Sequence, residues 1–183
     1  MDSQRAPPWI ITMRLLRAGQ LTMRRESSTT WIRSLAGYRH RDALRDFVER
    51  AEAEIHPAAV ILFGSLARGD FYSHSDADVC VVLSCAVHPF LADTPDVRGY
   101  DPTGIVEPVV FGREQFLQML RDANPLALEI AVDGVLIAGE AQFAARIEKA
   151  LAEACARFGL KRHAGGWTFS LAPTATGPGS SPS

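Results

Sequence analysis

The sequence predicts an α+β domain of two layers, in which a small mixed sheet is flanked by helices. Two short apolar runs, at residues 59–63 and 77–83, are rich in strand-forming residues and predict strands. Stretches at residues 44–55 and 140–158 repeat apolar residues at helical spacing and predict amphipathic helices. Three or four short strands with flanking helices, within 183 residues, fit one domain with a real core.

The elements up to the second strand follow from local signals. The first helix begins after about Arg39 and stops before Pro57, which lacks the N–H that a helix interior needs. The apolar face of this helix comprises Leu44, Phe47, Val48, Ala51 and Ile55. If the polar residues at the end of the first strand and at the start of the second form one site, the second strand must begin near the point where the first one ends. We therefore expect the two strands to be antiparallel.

Turn residues separate the later elements. Residues 84–103 contain several Pro and Gly turn signals and predict a long loop, of a length that is often functional or mobile. A third strand fits at 104–110, where Pro108 removes a donor and favours an edge position. The remaining elements are a helix at 113–122, a helix capped by Asn124 with Pro125 first, a strand at 135–137 and a helix at 140–158.

The predicted folded domain covers residues 39–160, and the segments on both sides of it differ from it in composition. Residues 1–38 are rich in Arg, Ser and Thr without a sustained period, so we expect a flexible basic arm. A targeting-like segment and an extension from an early start codon are the alternatives. Residues 161–183 predict a largely disordered tail, except that Trp167 and Phe169 near its start can dock on the core or on a partner, and docking on the core is the default expectation.

Charge is divided unevenly between the arm and the rest of the chain. Residues 1–38 hold six Arg against Asp2 and Glu26, whereas residues 39–183 hold 13 basic and 19 acidic side chains. An acidic body disfavours direct nucleic-acid binding, which the basic arm still leaves possible. No apolar run has membrane-spanning length, and three cysteines without a Cys-x-x-Cys pair favour a reducing compartment. We therefore expect a cytoplasmic protein without a membrane partner.

Two pairs of residues carry the candidate chemistry. Gly64 permits a sharp turn after the first strand, and Ser65 offers a hydroxyl and an N–H to a phosphate there. Asp76 and Asp78 are two residues apart at the start of a strand, so they face the same way and can share a metal. Their repulsion favours a cation, and oxygen ligands suit Mg²⁺. A phosphate site beside such a pair indicates phosphoryl or nucleotidyl transfer.

The complete motif spans residues 64–78. It reads Gly-Ser-x-Ala-Arg-Gly, then five residues, then Ser-Asp-x-Asp. This pattern closely resembles the signature of the minimal nucleotidyltransferases of the DNA polymerase beta superfamily. The resemblance implies a nucleotidyltransferase fold, two Mg²⁺ ions, and ATP or another nucleoside triphosphate as substrate. It also implies in-line attack at the α-phosphate with release of pyrophosphate. The alternative is a plain turn followed by a solvated strand entry.

The resemblance implies a set of catalytic carboxylates. Asp76 and Asp78 are its metal ligands, and Glu107 on the third strand is the candidate third ligand. Members of the resembled family more often carry Asp at the third position. An exposed strand residue is an equally good interpretation of Glu107.

The resemblance also implies contacts with the nucleotide. Gly64 and Ser65 hold the outer phosphates, and Ser75 braces the turn before the metal ligands. Arg68 either neutralises phosphate charge or pairs with an acid such as Asp70, and we slightly favour the pairing.

Small members of the resembled family are typically antitoxins of HEPN toxins, and some transfer AMP onto the toxin. The resemblance therefore implies adenylylation of a HEPN-family partner protein. One alternative is a non-catalytic module that neutralises its partner by forming a complex. Another is a small-molecule transferase of the aminoglycoside-modifying kind, which ranks last because we expect no acceptor domain in a chain of this length.

Overall fold

The computed structural model covers most of the predicted domain and short pieces on either side of it. It describes residues 24–25, 31–33, 35–85, 95–163 and 166–169. The expectations for most of the arm, for residues 86–94 of the predicted loop and for residues 170–183 of the tail lie outside the described residues.

Five strands form the main sheet. They are β1 (Arg24–Arg25), β2 (Ala59–Leu62), β3 (Ala77–Leu83), β4 (Val106–Gly112) and β5 (Val135–Gly139). Their order across the sheet is β1-β5-β2-β3-β4. The pairs β1–β5 and β3–β4 are parallel, whereas β2 is antiparallel to both of its neighbours. The mixed sheet and the antiparallel pairing of the first two predicted strands are confirmed.

Five α-helices whose bounds lie among the described residues accompany the sheet, together with a 3₁₀ helix at Val97–Tyr100 and a helical piece at residues 31–33. The α-helices are α1 (Arg41–Ile55), α2 (Gly64–Arg68), α3 (Arg113–Arg121), α4 (Pro125–Asp133) and α5 (Ala141–Phe158). Asn124 caps α4 as predicted, because its side chain accepts the N–H groups of Leu126 and Ala127. None of these helices is long and apolar enough to cross a membrane.

Helices cover both faces of the sheet. Val79 and Val81 of β3 face one core, which α1 closes, whereas Cys80 and Val82 face the other, which α3, α4 and α5 close. The α+β class is therefore confirmed, but the sheet is the middle one of three layers rather than part of two. The uninterrupted apolar sequence of β3 is what a strand buried on both faces requires.

The folded domain begins before residue 39, where we expected the flexible arm to end. Trp31, Leu35 and Tyr38 are at most 3% exposed and pack in the same core as α1. These residues are spaced i, i+4, i+7, as on one stripe of a helix, although only residues 31–33 are helical and residues 35–37 form a turn. The stripe is too short to stand out in a segment otherwise rich in polar residues. The two residues of β1 also add a parallel strand beside β5.

The start of the expected tail is ordered as well. A hairpin of β6 (Lys161–His163) and β7 (Gly166–Thr168) follows α5. Trp167 packs against the core that α3, α4 and α5 close, which is the docking expected for it. Strands of three residues give too little alternation to be recognised from sequence.

The third strand lies at the end of the strand order, as Pro108 predicts. It begins at Val106, two residues later than expected, because Asp101 and the turn after it occupy the preceding positions. This strand carries Glu107 to the candidate site.

Candidate active site

The turn between β2 and α2 places its backbone against Asp78. Phe63 donates its backbone N–H to the carbonyl oxygen of Asp78 at 3.0 Å. Gly64 has a φ of +66°, in the left-handed region that glycine adopts readily. A Cβ on Gly64 would lie 2.0 Å from Oδ2 of Asp78. Only glycine lets the turn approach this carboxylate so closely.

A single helical turn follows this contact. Ser65 is the second residue of α2, and its carbonyl accepts the N–H groups of Gly69 and Asp70 at 2.8 and 3.2 Å. Gly69 ends the helix in the left-handed conformation. The contacts of Gly64 and Ser65 with phosphate remain predictions.

Three predicted carboxylates come to one face of the sheet. Asp78 and Glu107 are register partners on the parallel strands β3 and β4, and register partners share a face. Asp76 precedes Asp78 by two residues and shares that side. Burial raises the pKa of Asp78, and the negative charges of Glu107, Asp76 and Glu129 raise it further. Glu129 of α4 therefore acts on Asp78 together with the predicted carboxylates. We call Asp76, Asp78, Glu107 and Glu129 the acidic group.

The carboxylate chemistry fits a hard cation, but the side chains do not form a closed cage. Among the residues that the structure describes, no three His, Cys, Asp or Glu side chains are close enough to hold a metal. Mg²⁺ is usually bound by one or two carboxylates together with substrate phosphates and water. Two of the three carboxylates Asp76, Asp78 and Glu107 would suffice for that share, and Glu107 is exposed on its strand.

Arg68 links the two helices that border the acidic group. Its guanidinium lies 3.3 Å from the carboxylate of Asp70 and 3.1 Å from that of Glu129. The pairing with Asp70 that the sequence favoured is therefore present. Both pairs are partly exposed, so each contributes modestly to stability. The positive charge of Arg68 also acts to lower the pKa of Asp78, against the stronger effects that raise it.

Ser75 braces the loop that leads into β3. Its hydroxyl accepts the backbone N–H of Tyr72 at 2.9 Å, and its carbonyl accepts the hydroxyl of Tyr38 at 2.7 Å. Burial raises the pKa of Tyr38 to about 12, with further contributions from the charges of Asp76, Asp101 and Asp78. Tyr38 therefore remains a neutral donor at physiological pH and holds the loop beside the carboxylates.

Asp101 shapes the entry to β4. Its side chain is 6% exposed and accepts four hydrogen bonds of 2.6–2.9 Å, from the N–H and hydroxyl of Thr103 and the N–H groups of Ile105 and Val106. Burial acts to raise the pKa of Asp101, but the hydrogen bonds from Thr103, Val106 and Ile105 outweigh it and hold this pKa below its usual range. Glu107 directly follows Val106, so these hydrogen bonds also fix the position of Glu107 near the start of β4.

Tyr38, Asp101 and Glu129 belong to the site but were not predicted from the sequence. The spacing Asp101-x-Thr103 is an Asx-turn signal that could have identified Asp101 as more than a turn residue. The stripe ending at Tyr38 was a weaker signal. No sequence signal indicated Glu129, because its partner Arg68 lies 61 residues away along the chain.

Comparisons with known proteins bear on this site. Residues 41–120 match a family model described as a nucleotidyltransferase domain, and this segment contains the motif and Glu107. A solved structure from Sulfolobus solfataricus, provisionally described as a nucleotidyltransferase, is 20% identical, with 59% of this chain and 82% of that chain covered and a TM-score of 0.34. No curated protein matches the chain. The family match supports nucleotidyl transfer as the general activity.

The contact between Gly64 and Asp78 predicts a specific effect of Gly64→Ala. The added methyl group strains the left-handed backbone and displaces Asp78, so the free energy of unfolding should fall by about 1–3 kcal/mol. Urea denaturation checks this. Gly37→Ala is the matched control, because a Cβ there meets no atom within 4 Å. Equal stability of the Gly64→Ala and wild-type proteins would contradict the expected clash.

The lowered pKa of Asp101 predicts a dependence of stability on pH. The folded state binds the proton of this group less tightly than the unfolded chain, whose Asp pKa is about 3.9. The stabilisation is therefore complete above about pH 4 and is lost as the pH falls through the lower folded value. Asp101→Asn should cost about 1–3 kcal/mol at pH 7, and the difference from wild type should shrink below about pH 4.

Urea denaturation between pH 7 and pH 3 measures this difference, with Glu52→Gln, at an exposed acid on α1, as control. A difference between Asp101→Asn and wild type that does not change over this range would contradict the assignment.

Proposed function

We propose that this chain is a Mg²⁺-dependent nucleotidyltransferase that moves a nucleoside monophosphate, AMP from ATP, onto a partner protein. The observation that carries the proposal is the register pairing of Asp78 with Glu107, with Asp76 on the same face and the Gly64 backbone against Asp78. The match of residues 41–120 to a nucleotidyltransferase domain supports the reaction class.

In the proposed reaction a hydroxyl of the acceptor attacks the α-phosphate of the triphosphate. The new bond joins this oxygen to phosphorus, the hydroxyl proton passes to water, the bond to the bridging oxygen breaks, and pyrophosphate leaves. When bound, Mg²⁺ neutralises phosphate charge and acidifies the attacking hydroxyl. Asp76, Asp78 and Glu107 would hold the ion. The turn at Gly64 and Ser65 presents backbone close to the same carboxylates and would receive the outer phosphates.

We propose a HEPN-family toxin as the partner, with this chain as its antitoxin. The resemblance of the motif at residues 64–78 to that of the minimal nucleotidyltransferases supports this choice. The charge of residues 39–183 also supports a protein as the acceptor, because 19 acidic against 13 basic residues disfavour a nucleic-acid acceptor.

A non-catalytic module that only binds its partner is the second candidate. Two observations favour it. Within the described part of the chain, no three possible ligands form a metal cage, and Arg68 is already paired with Asp70 and Glu129. Such a module would inhibit the partner without changing its mass.

Intact mass spectrometry distinguishes the two candidates. The product of the neighbouring gene is incubated with this protein, Mg²⁺ and each nucleoside triphosphate in turn. A gain of one or more nucleoside monophosphates, largest with ATP, is expected with the wild-type protein. Asp76→Asn should abolish the gain because it removes a ligand oxygen's charge.

The matched control for the mass measurement is Glu52→Gln, which neutralises an exposed acid on α1 and should leave the gain unchanged. An unchanged mass together with a stable complex would refute the transferase for that pair and favour the binding module.

A further inference from the structure

A cleft of about 570 Å³ lies beside the acidic group. We call it the hairpin cleft, and its lining includes Arg68, Pro125, Glu129, Arg162, Trp167 and Phe169. One wall comes from the end of α2 and the first half of α4, and the other comes from the β6–β7 hairpin and the residue after it. The volume lies within the range of small-molecule sites.

The first wall belongs equally to the candidate active site. Arg68 and Glu129 form an ion pair of 3.1 Å, and both act electrostatically on Asp78. A molecule in the hairpin cleft therefore lies next to the carboxylates that would receive the metal and the phosphates.

The second wall is aromatic. Phe169 is 52% exposed, and only Tyr72 shares such exposure among the large apolar side chains that the structure describes. Trp167 is partly buried against the core, and the guanidinium of Arg162 lies 5.7 Å from its ring centroid. Arg162 also pairs with Asp133, which fixes the guanidinium beside the indole.

Charge within the hairpin cleft is balanced. Arg68 faces Asp70 and Glu129, and Arg162 faces Asp133. Phosphate groups would therefore meet carboxylates at the near wall rather than an excess of positive charge. A neutral, planar group suits this lining better, because it can stack on the aromatic wall and hydrogen-bond with the carboxylates.

We propose that the hairpin cleft binds the base of the nucleoside triphosphate, with Trp167 and Phe169 as its stacking surface. This inference rests on the proposed function, since it assigns the nucleoside end of the same substrate. Every base has a π face, and stacking on aromatic side chains is a general mode of base binding. The hairpin lies outside residues 41–120, so base binding uses a part of the chain that the family match does not cover.

Calorimetric titration with two ligands tests the assignment, each in the presence of Mg²⁺. The first ligand is ATP with a methylene group between the α- and β-phosphates, which cannot be cleaved there. The second is inorganic tripolyphosphate, which has no base. The Kd of the nucleotide should rise about 5- to 100-fold in Trp167→Ala and in Phe169→Ala, while the Kd of tripolyphosphate stays unchanged. Trp167→Phe keeps an aromatic ring and should lose less.

Phe169→Ala keeps the test decisive if Trp167→Ala fails to fold, because Phe169 is exposed. Wild-type affinity for the nucleotide in Phe169→Ala and in a folded Trp167→Ala would overturn the proposal. The hairpin cleft would then be a site for the acceptor rather than for the base. An equal loss for both ligands would also overturn it. Failure of the proposed function has a different signature, because neither ligand would then bind even the wild-type protein.

Discussion

The parallel register of β3 against β4 is the constraint on which the candidate site depends. It sets Asp78 beside Glu107, while the antiparallel register of β2 brings Gly64 against the same Asp78. Like charges held together in this way raise the pKa of Asp78 after burial has already raised it. The protein therefore maintains an electrostatically unfavourable arrangement that a cation would relieve.

One long-range hydrogen bond and one local set of hydrogen bonds hold the segments that enter this arrangement. Tyr38 fixes the loop before β3 through the carbonyl of Ser75, and Asp101 fixes the turn before β4. Apolar packing on both faces of the sheet keeps the two strands in place. The polar groups thus position the carboxylates, whereas the cores supply the stability that offsets their repulsion.

The elements that carry the motif could be predicted, because short-range features of the sequence determine where they form. A short apolar run of strand-forming residues predicted β3, Pro108 predicted the edge position of β4, and Asn124 predicted the start of α4. The partnership of Arg68 with Glu129 could not be predicted, since it exists only once α2 and α4 pack together. The C-terminal hairpin was missed because Trp167 belongs to a segment too short to show a period. The helix α1 was predicted, but its periodicity does not indicate which face of the sheet it covers, so the third layer was not foreseen.

Thermal denaturation with and without Mg²⁺ tests most directly whether the acidic group is a cation site. Without metal, Asp78→Asn should melt above the wild-type protein because it removes repulsion with Glu107 and Asp76. Millimolar Mg²⁺ should raise the wild-type Tm but not that of Asp78→Asn, since a ligand stabilises only the state that binds it. Glu52→Gln on α1 should respond like wild type. A wild-type Tm that is insensitive to Mg²⁺, or an equal rise in Asp78→Asn, would contradict the cation site.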